Sequence, residues 1–172
     1  MRIAYQGEPG AYSEAAALHF GGPDVETLPC KTFDEVFEAV VKKRATHGVV
    51  PLENSVGATI QRNYDLLLDH ELGITGEVEL DIVHCLQALP GTSIPDVKIV
   101  YSHPQALAQC ERYLKGLGVT VEAVYDTAGG AKLVAEKGLA GAAALASRRA
   151  AAVYGLEVLQ EAVQDFESNL TR

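Results

Sequence analysis

Four short segments concentrate the groups able to act on a small molecule, and each is flanked by glycine or proline. Glu53-Asn54-Ser55 follows Pro51. Asn54 and Ser55 can hydrogen-bond a carboxylate or a hydroxyl, whereas the Glu53 carboxylate would repel an anion, so Glu53 is assigned to holding a loop or an arginine. Ser102-His103-Pro104-Gln105 sets a hydroxyl, an imidazole and an amide around a proline suited to the first position of a helix. His103 there reads either as a helix cap or as a residue that shapes a site, and not as the proton donor. In Asp126-Thr127-Ala128-Gly129-Gly130, Asp126 or Thr127 caps a helix whose first turn holds two glycines. Glycines weaken a helix, so close approach of a ligand or of another backbone would explain them. Gly7-Glu8-Pro9-Gly10 is either a plain tight turn or a turn that aims backbone N–H groups at an anion. It is not a G-x-G-x-x-G fingerprint, and no phosphate-loop lysine follows it.

Alternating strand and helix patterns must position these segments. The first half reads strand Ile3–Tyr5, helix Tyr12–Phe20, strand Val25–Leu28, a helix capped by Thr32, strand Gly48–Val50 and helix Ile60–Leu68. This alternation favours a parallel sheet covered by helices. The run Gly76–Leu89 has no helical period and reads as one long strand ending at Pro90-Gly91. A second unit follows: strand Lys98–Tyr101, helix Pro104–Leu117, strand Val119–Tyr125, helix Ala128–Glu136, strand Ala142–Leu145 and helix Ser147–Tyr154. Arg148 and Arg149 form a solvated helix face, and Ala146-Ser147 is a weaker capped turn. Leu156–Val163 is a second extended run, able to return the chain to the first half. The fold class is therefore α/β, with two α/β lobes and a cleft between them. Lobe one takes about 1–76 plus 158–172 and lobe two about 77–157. The polar segments lie at the carboxyl ends of strands, where open α/β sheets bind ligands.

The net charge of -9 and the lack of a basic stripe argue against nucleic-acid and membrane partners. No apolar run approaches the ~18 residues of a membrane-spanning helix. Cys30, Cys85 and Cys110 are odd in number, far apart and without a C-x-x-C spacing. They argue against a disulfide framework and a zinc site and fit a reducing, cytoplasmic setting. Met1-Arg2-Ile3-Ala4-Tyr5 reads as a strand entering the fold and not as a signal peptide.

Taken in order, Gly7–Ser13, Val50–Gly57, Ser102–Gln105 and the closing Ser168-Asn169-Leu170-Thr171-Arg172 resemble the catalytic domain of prephenate dehydratases, over essentially the whole chain. That family closes on Asn-x-Thr-Arg-Phe, and this sequence stops at the arginine. The resemblance implies a two-lobed fold similar to type II periplasmic binding proteins. It implies loss of CO2 and water from prephenate to give phenylpyruvate, driven by aromatisation without metal or organic cofactor. By resemblance Thr171 is the catalytic hydroxyl donor and Arg172 clamps a substrate carboxylate. Asn54, Ser55, Ser102, His103, Gln105, Thr127 and Asn169 contact substrate. The partner is the small molecule alone, and a homodimer is compatible with the reading. The family's phenylalanine-binding ACT domain is not among these residues. Two alternatives stay open: an arogenate dehydratase, in which an amino group replaces the keto group, and a non-catalytic small-molecule binding module.

Overall fold

The computed structural model describes residues 1–57 and 59–172. Two compact units emerge. One is Met1–Glu8, Tyr12–Ile82 and Ser168–Arg172; the other is Pro9–Ala11 and Val83–Glu167. Apart from the brief excursion of Pro9–Ala11, the chain changes unit at Ile82/Val83 and Glu167/Ser168, whereas the sequence pattern placed the switches near 76 and 158.

In the first unit, β1 (Arg2–Gln6) lies between β2 (Glu26–Cys30) and β3 (His47–Val49), all parallel. Helices α1 (Tyr12–Gly21), α2 (Phe33–Val41) and α3 (Gln61–Asp69) follow these strands. The Thr32 hydroxyl caps α2 by accepting from Glu35 N at 3.2 Å. Val36, Phe37 and Ala39 of α2 are buried, and Val36 and Ala39 join Ala4 and Cys30 in the core. Such helical spacing removes one apolar stripe from water, worth about 25 cal/mol per Å².

The predicted long strand over Gly76–Leu89 is two short ones. Here β4 (Leu80–Asp81) pairs with β10 (Leu170–Thr171) in the first unit, and β5 (Cys85–Ala88) joins a five-stranded sheet in the second. The run breaks because its ends hydrogen-bond into different sheets. That second sheet has the order β7-β6-β8-β5-β9. Strands β6 (Ile99–Ser102), β7 (Thr120–Ala123) and β8 (Ala142–Ala146) are parallel; β5 runs antiparallel to β8, and β9 (Glu157–Gln160) antiparallel to β5. The Leu156–Val163 run therefore supplies the sheet's edge at β9, and the return to the first unit comes only at Ser168. The predicted helix Pro104–Leu117 is likewise two, α4 (Pro104–Gln109) and α5 (Glu111–Leu117), because Cys110 adopts φ -117°, ψ 21°. Helices α6 (Thr127–Glu136) and α7 (Arg148–Tyr154) complete the unit.

Two glycines have steric reasons. At Gly130 a Cβ would stand 3.0 Å from the Tyr101 carbonyl oxygen, so α6 can rest on β6 only without a side chain there. Gly10 has φ +92°, and its Cβ would lie 2.7 Å from Ala150 Cα. Ser147 Oγ donates to Gly10 O at 2.6 Å while accepting from Ala150 N at 3.0 Å, so this turn is pinned to the start of α7. The glycine-rich segment is in this respect a close-packed turn.

His84 is 2% exposed, and its Nε2 lies 2.9 Å from Gln109 Oε1. Burial lowers its pKa, which the Gln109 hydrogen bond partly opposes. The unfolded chain therefore binds this proton more tightly than the fold does. The stability contributed by a neutral His84 is present above about pH 6.5 and is lost as pH falls through the depressed folded value. Thermal midpoints of the wild type and His84→Gln, followed from about pH 8 to about pH 5.5, check this. The wild type is expected to lose more stability on acidification than the variant; parallel curves would contradict the assignment.

Candidate active site

The segment after β3 is fixed before its polar side chains are used. Asn63 of α3 is fully buried, and its Nδ2 donates to Pro51 O at 2.7 Å. Ile60 N donates to Leu52 O at 2.9 Å. Against this anchored segment runs the closing segment of the chain. Arg172 N donates to Glu53 O at 2.9 Å and Ser55 N to Leu170 O at 2.8 Å, while the Arg172 carbonyl accepts from Leu52 N and Glu53 N. Asn54 and Thr171 thus form an antiparallel pair between those bonds. In a non-hydrogen-bonded pair of this kind the two side chains are close and share one face.

On that face Asn54 uses its whole amide. Its Nδ2 donates to Asn169 Oδ1 and to Thr171 Oγ1, each at 2.7 Å. Its Oδ1 accepts from Val56 N at 3.1 Å and from Gly57 N. Two backbone donors on one atom settle which end of the amide is oxygen. The consequence for Thr171 is chemical. Its oxygen accepts a hydrogen bond from Asn54, so its own O–H is left to donate elsewhere. A donor on that oxygen also favours the form that has given up its proton.

The opposite face has different chemistry. Neighbours in an extended strand point to opposite sides. Glu53 therefore pairs with Arg172, and Ser55 with Leu170, behind the Asn54–Thr171 face. Arg172 Nη2 is 3.0 Å from Glu53 Oε2, and Nη1 is 3.6 Å from Glu77 Oε1. Tyr64 Oη donates to Glu53 Oε1 at 3.3 Å. The Arg172 hydrogen bond, then that of Tyr64, holds the Glu53 carboxyl below its usual range. Strand β10 pairs with β4 with Leu170 opposite Asp81 and Thr171 opposite Leu80. Continuing that register sets Glu79 across from Arg172. An open depression of about 280 Å³ is bordered by Glu53, Asn54, Ser55, Glu79, Leu170 and Arg172 among others. Ser55 Oγ accepts from Leu170 N at 2.9 Å, a bond that holds the ribbon together.

The remaining sequence-predicted residues lie in the second unit. Ser102, expected to reach substrate, is fully buried, and its hydroxyl donates to Leu145 O at 2.6 Å, tying β6 to β8. His103 is the N-cap of α4: its Nδ1 accepts from Gln105 N at 3.3 Å, which leaves the proton on Nε2. Gln105 is exposed in the first turn of α4. Asp126, and not Thr127, caps α6 by accepting from Gly129 N at 3.3 Å; Thr127 is half-buried at the first helical position. Asn54, Asn169 and Thr171 are thus brought together on one face, Arg172 and Ser55 stand behind it, and Ser102, His103, Gln105 and Thr127 belong to the other unit. Sequence reading missed Tyr64, Glu77 and Glu79. The alternation Glu77-Val78-Glu79-Leu80-Asp81-Ile82 is the period-two signal that marks the acids as one face of a strand.

A parallel α/β unit closed by a strand bearing an amide-held hydroxyl, together with a mixed-sheet α/β unit, defines a class of two-unit α/β proteins. Within that class the chain belongs to the prephenate dehydratase family, whose profile matches residues 3–172. It is 54% identical over 172 residues to arogenate dehydratase 2 of Petunia hybrida, covering 100% of this chain and 43% of that protein. It is 53% identical over 174 residues to arogenate dehydratase/prephenate dehydratase 6, chloroplastic, of Arabidopsis thaliana, covering 100% and 42%. The chain spans less than half the length of these curated relatives. Among solved structures, the prephenate dehydratase of Arthrobacter aurescens in complex with L-Phe superposes with a TM-score of 0.90 at 27% identity, over 99% of this chain and 59% of that one. A protein described as GqqA, a novel type of quorum quenching acylase, superposes with a TM-score of 0.91 at 37% identity, over 99% and 62%. The cytoplasmic setting expected from the sequence is corrected by these relatives, since the Arabidopsis protein is named chloroplastic. Cys30, Cys85 and Cys110 are free and buried, so they report packing and not a compartment.

Replacing Asn54 by alanine removes four hydrogen bonds and strands the Val56 and Gly57 N–H groups. A loss of roughly 1–3 kcal/mol is expected from groups left without partners. Urea denaturation of the wild type and Asn54→Ala measures it, and equal midpoints would remove Asn54 as the ribbon's tie.

Proposed function

We propose that the chain catalyses the decarboxylating dehydration of prephenate to phenylpyruvate. The observation that carries this reading is the Thr171 hydroxyl, held by Asn54 at 2.7 Å with its own proton free to donate. The C–C bond to the ring carboxylate breaks and releases CO2. Its electron pair moves through the ring and expels the hydroxyl para to it, leaving an aromatic ring. The departing oxygen takes a proton and leaves as water. Thr171 donates a hydrogen bond to that oxygen as negative charge builds on it. Asn54 keeps the Thr171 hydroxyl turned toward that oxygen, and the proton that converts the leaving hydroxide to water comes from solvent. Asn169, which accepts from the same amide, keeps Asn54 turned so that its second N–H faces Thr171.

A second substrate has specific support. The Petunia and Arabidopsis relatives are named arogenate dehydratases, one of them also prephenate dehydratase. In arogenate an amino group replaces the keto group of the side chain, far from the bonds that break, so the same residues serve and the product is phenylalanine. The chloroplastic name of the Arabidopsis relative supports a plastid setting for the whole protein.

Purified protein incubated separately with prephenate and with arogenate, with phenylpyruvate and phenylalanine quantified, tests the reading. Turnover of at least one is expected, and Thr171→Ala should lower kcat by roughly 10²–10⁴, the worth of a positioned proton donor. Binding of both without turnover would make the chain a binding module, and a Thr171→Ala variant of wild-type rate would put the donor elsewhere.

A further inference from the structure

We infer that Arg172 is a positioning residue that acts through Glu53 from the back of the Thr171 strand, and not the clamp for a substrate carboxylate. This rests on the dehydratase reading for its kinetic test alone. Three observations carry it. First, the pairing of Asn54 with Thr171 forces Arg172 onto the opposite face, beside Glu53. A small molecule lying against the Thr171 hydroxyl has the strand between itself and the guanidinium. Second, the Arg172 side chain already has partners: Glu53 at 3.0 Å and Glu77 at 3.6 Å. Glu79 borders the same depression, so one cation stands among three carboxylates, and a dianionic substrate entering there would meet net repulsion. Third, the Arg172–Glu53 ion pair spans the same two residues whose backbones exchange hydrogen bonds, Arg172 N to Glu53 O at 2.9 Å and Glu53 N to Arg172 O at 3.1 Å. Tyr64 braces the free oxygen of Glu53 from α3. The side chains therefore lock the register that presents Thr171 to Asn54.

Both side chains of the pair are about half exposed, and exposed ion pairs add little to global stability. The effect of breaking it should be local. Misplacement of a reacting group by about 1 Å can cost as much as 10²-fold in rate. The variants are Arg172→Met, Glu53→Gln, their double variant, and the charge exchange Glu53→Arg with Arg172→Glu. Each is assayed for kcat and KM on whichever of prephenate and arogenate the wild type turns over. Amide hydrogen exchange at Ser55 and Arg172 is measured in parallel. Either single change is expected to lower kcat about tenfold or more with KM within about twofold, and the double variant to be no slower than the worse single one. The charge exchange should recover part of kcat. Exchange at the Ser55 and Arg172 amides should quicken equally in both single variants. A large rise in KM for Arg172→Met with kcat retained, or single effects that multiply in the double variant, would restore Arg172 as a substrate clamp. Should the wild type turn over neither substrate, the dehydratase reading fails on its own. The exchange data still decide this inference then, because unchanged protection in Arg172→Met would overturn it.

Discussion

The pairing of Asn54 with Thr171 is the constraint on which the rest of the site depends. The two residues are 117 positions apart, yet one amide satisfies a hydroxyl, a second amide and two backbone donors. A half-satisfied polar group in such a place would cost more than it contributes, so the four bonds stand or fall together. Once this pair is fixed, strand geometry assigns every neighbour to a face. Asn169 joins the hydroxyl. Glu53, Ser55, Leu170 and Arg172 turn away from it. No further interaction is needed to separate neutral donors from charged groups.

That separation suits an acidic protein with the anionic substrate proposed for it. With a net charge of -9, the chain has carboxylates to place. The ribbon puts Glu53, Glu77 and Glu79 on the side of Arg172, which pairs with the first two, and leaves an amide and a hydroxyl on the other. A neutral donor stabilises developing negative charge without first binding the ground-state carboxylates tightly, the balance that favours turnover over binding. Arg172 and Thr171 are adjacent in sequence and stand on opposite faces because a strand alternates its side chains.

Much of this was legible in the sequence, and what was not has physical reasons. The helices and the parallel strands of both units follow from local periodicity, and the caps at Thr32, His103, Asp126 and Ser147 follow from side-chain chemistry next to the first turn. The polar segments were identified as groups from residue type alone. Long-range pairing has no local signature. The run from Gly76 to Leu89 reads as one strand because nothing within it shows that Leu80-Asp81 and Cys85–Ala88 hydrogen-bond into different sheets. The two-residue strand β10 carries no strand signal of its own because it is ordered by partners at Asn54 and Leu80. Missing that strand hid the alternation that sets Arg172 behind Thr171. Ser102 reads as a ligand contact at a strand's end because the sequence does not show the Leu145 carbonyl waiting beneath it.

The central claim is that substrate meets Thr171 on its Asn54 face. A crystal structure with a saturated-ring analogue of prephenate tests it most directly, since such an analogue keeps the ring hydroxyl and both carboxylates but cannot become aromatic. The ring hydroxyl is expected about 2.6–3.2 Å from Thr171 Oγ1, with Asn54 still donating to that oxygen and Arg172 still on Glu53. An analogue whose carboxylate is held by Arg172 on the Glu53 face, with no contact to Thr171, would contradict it.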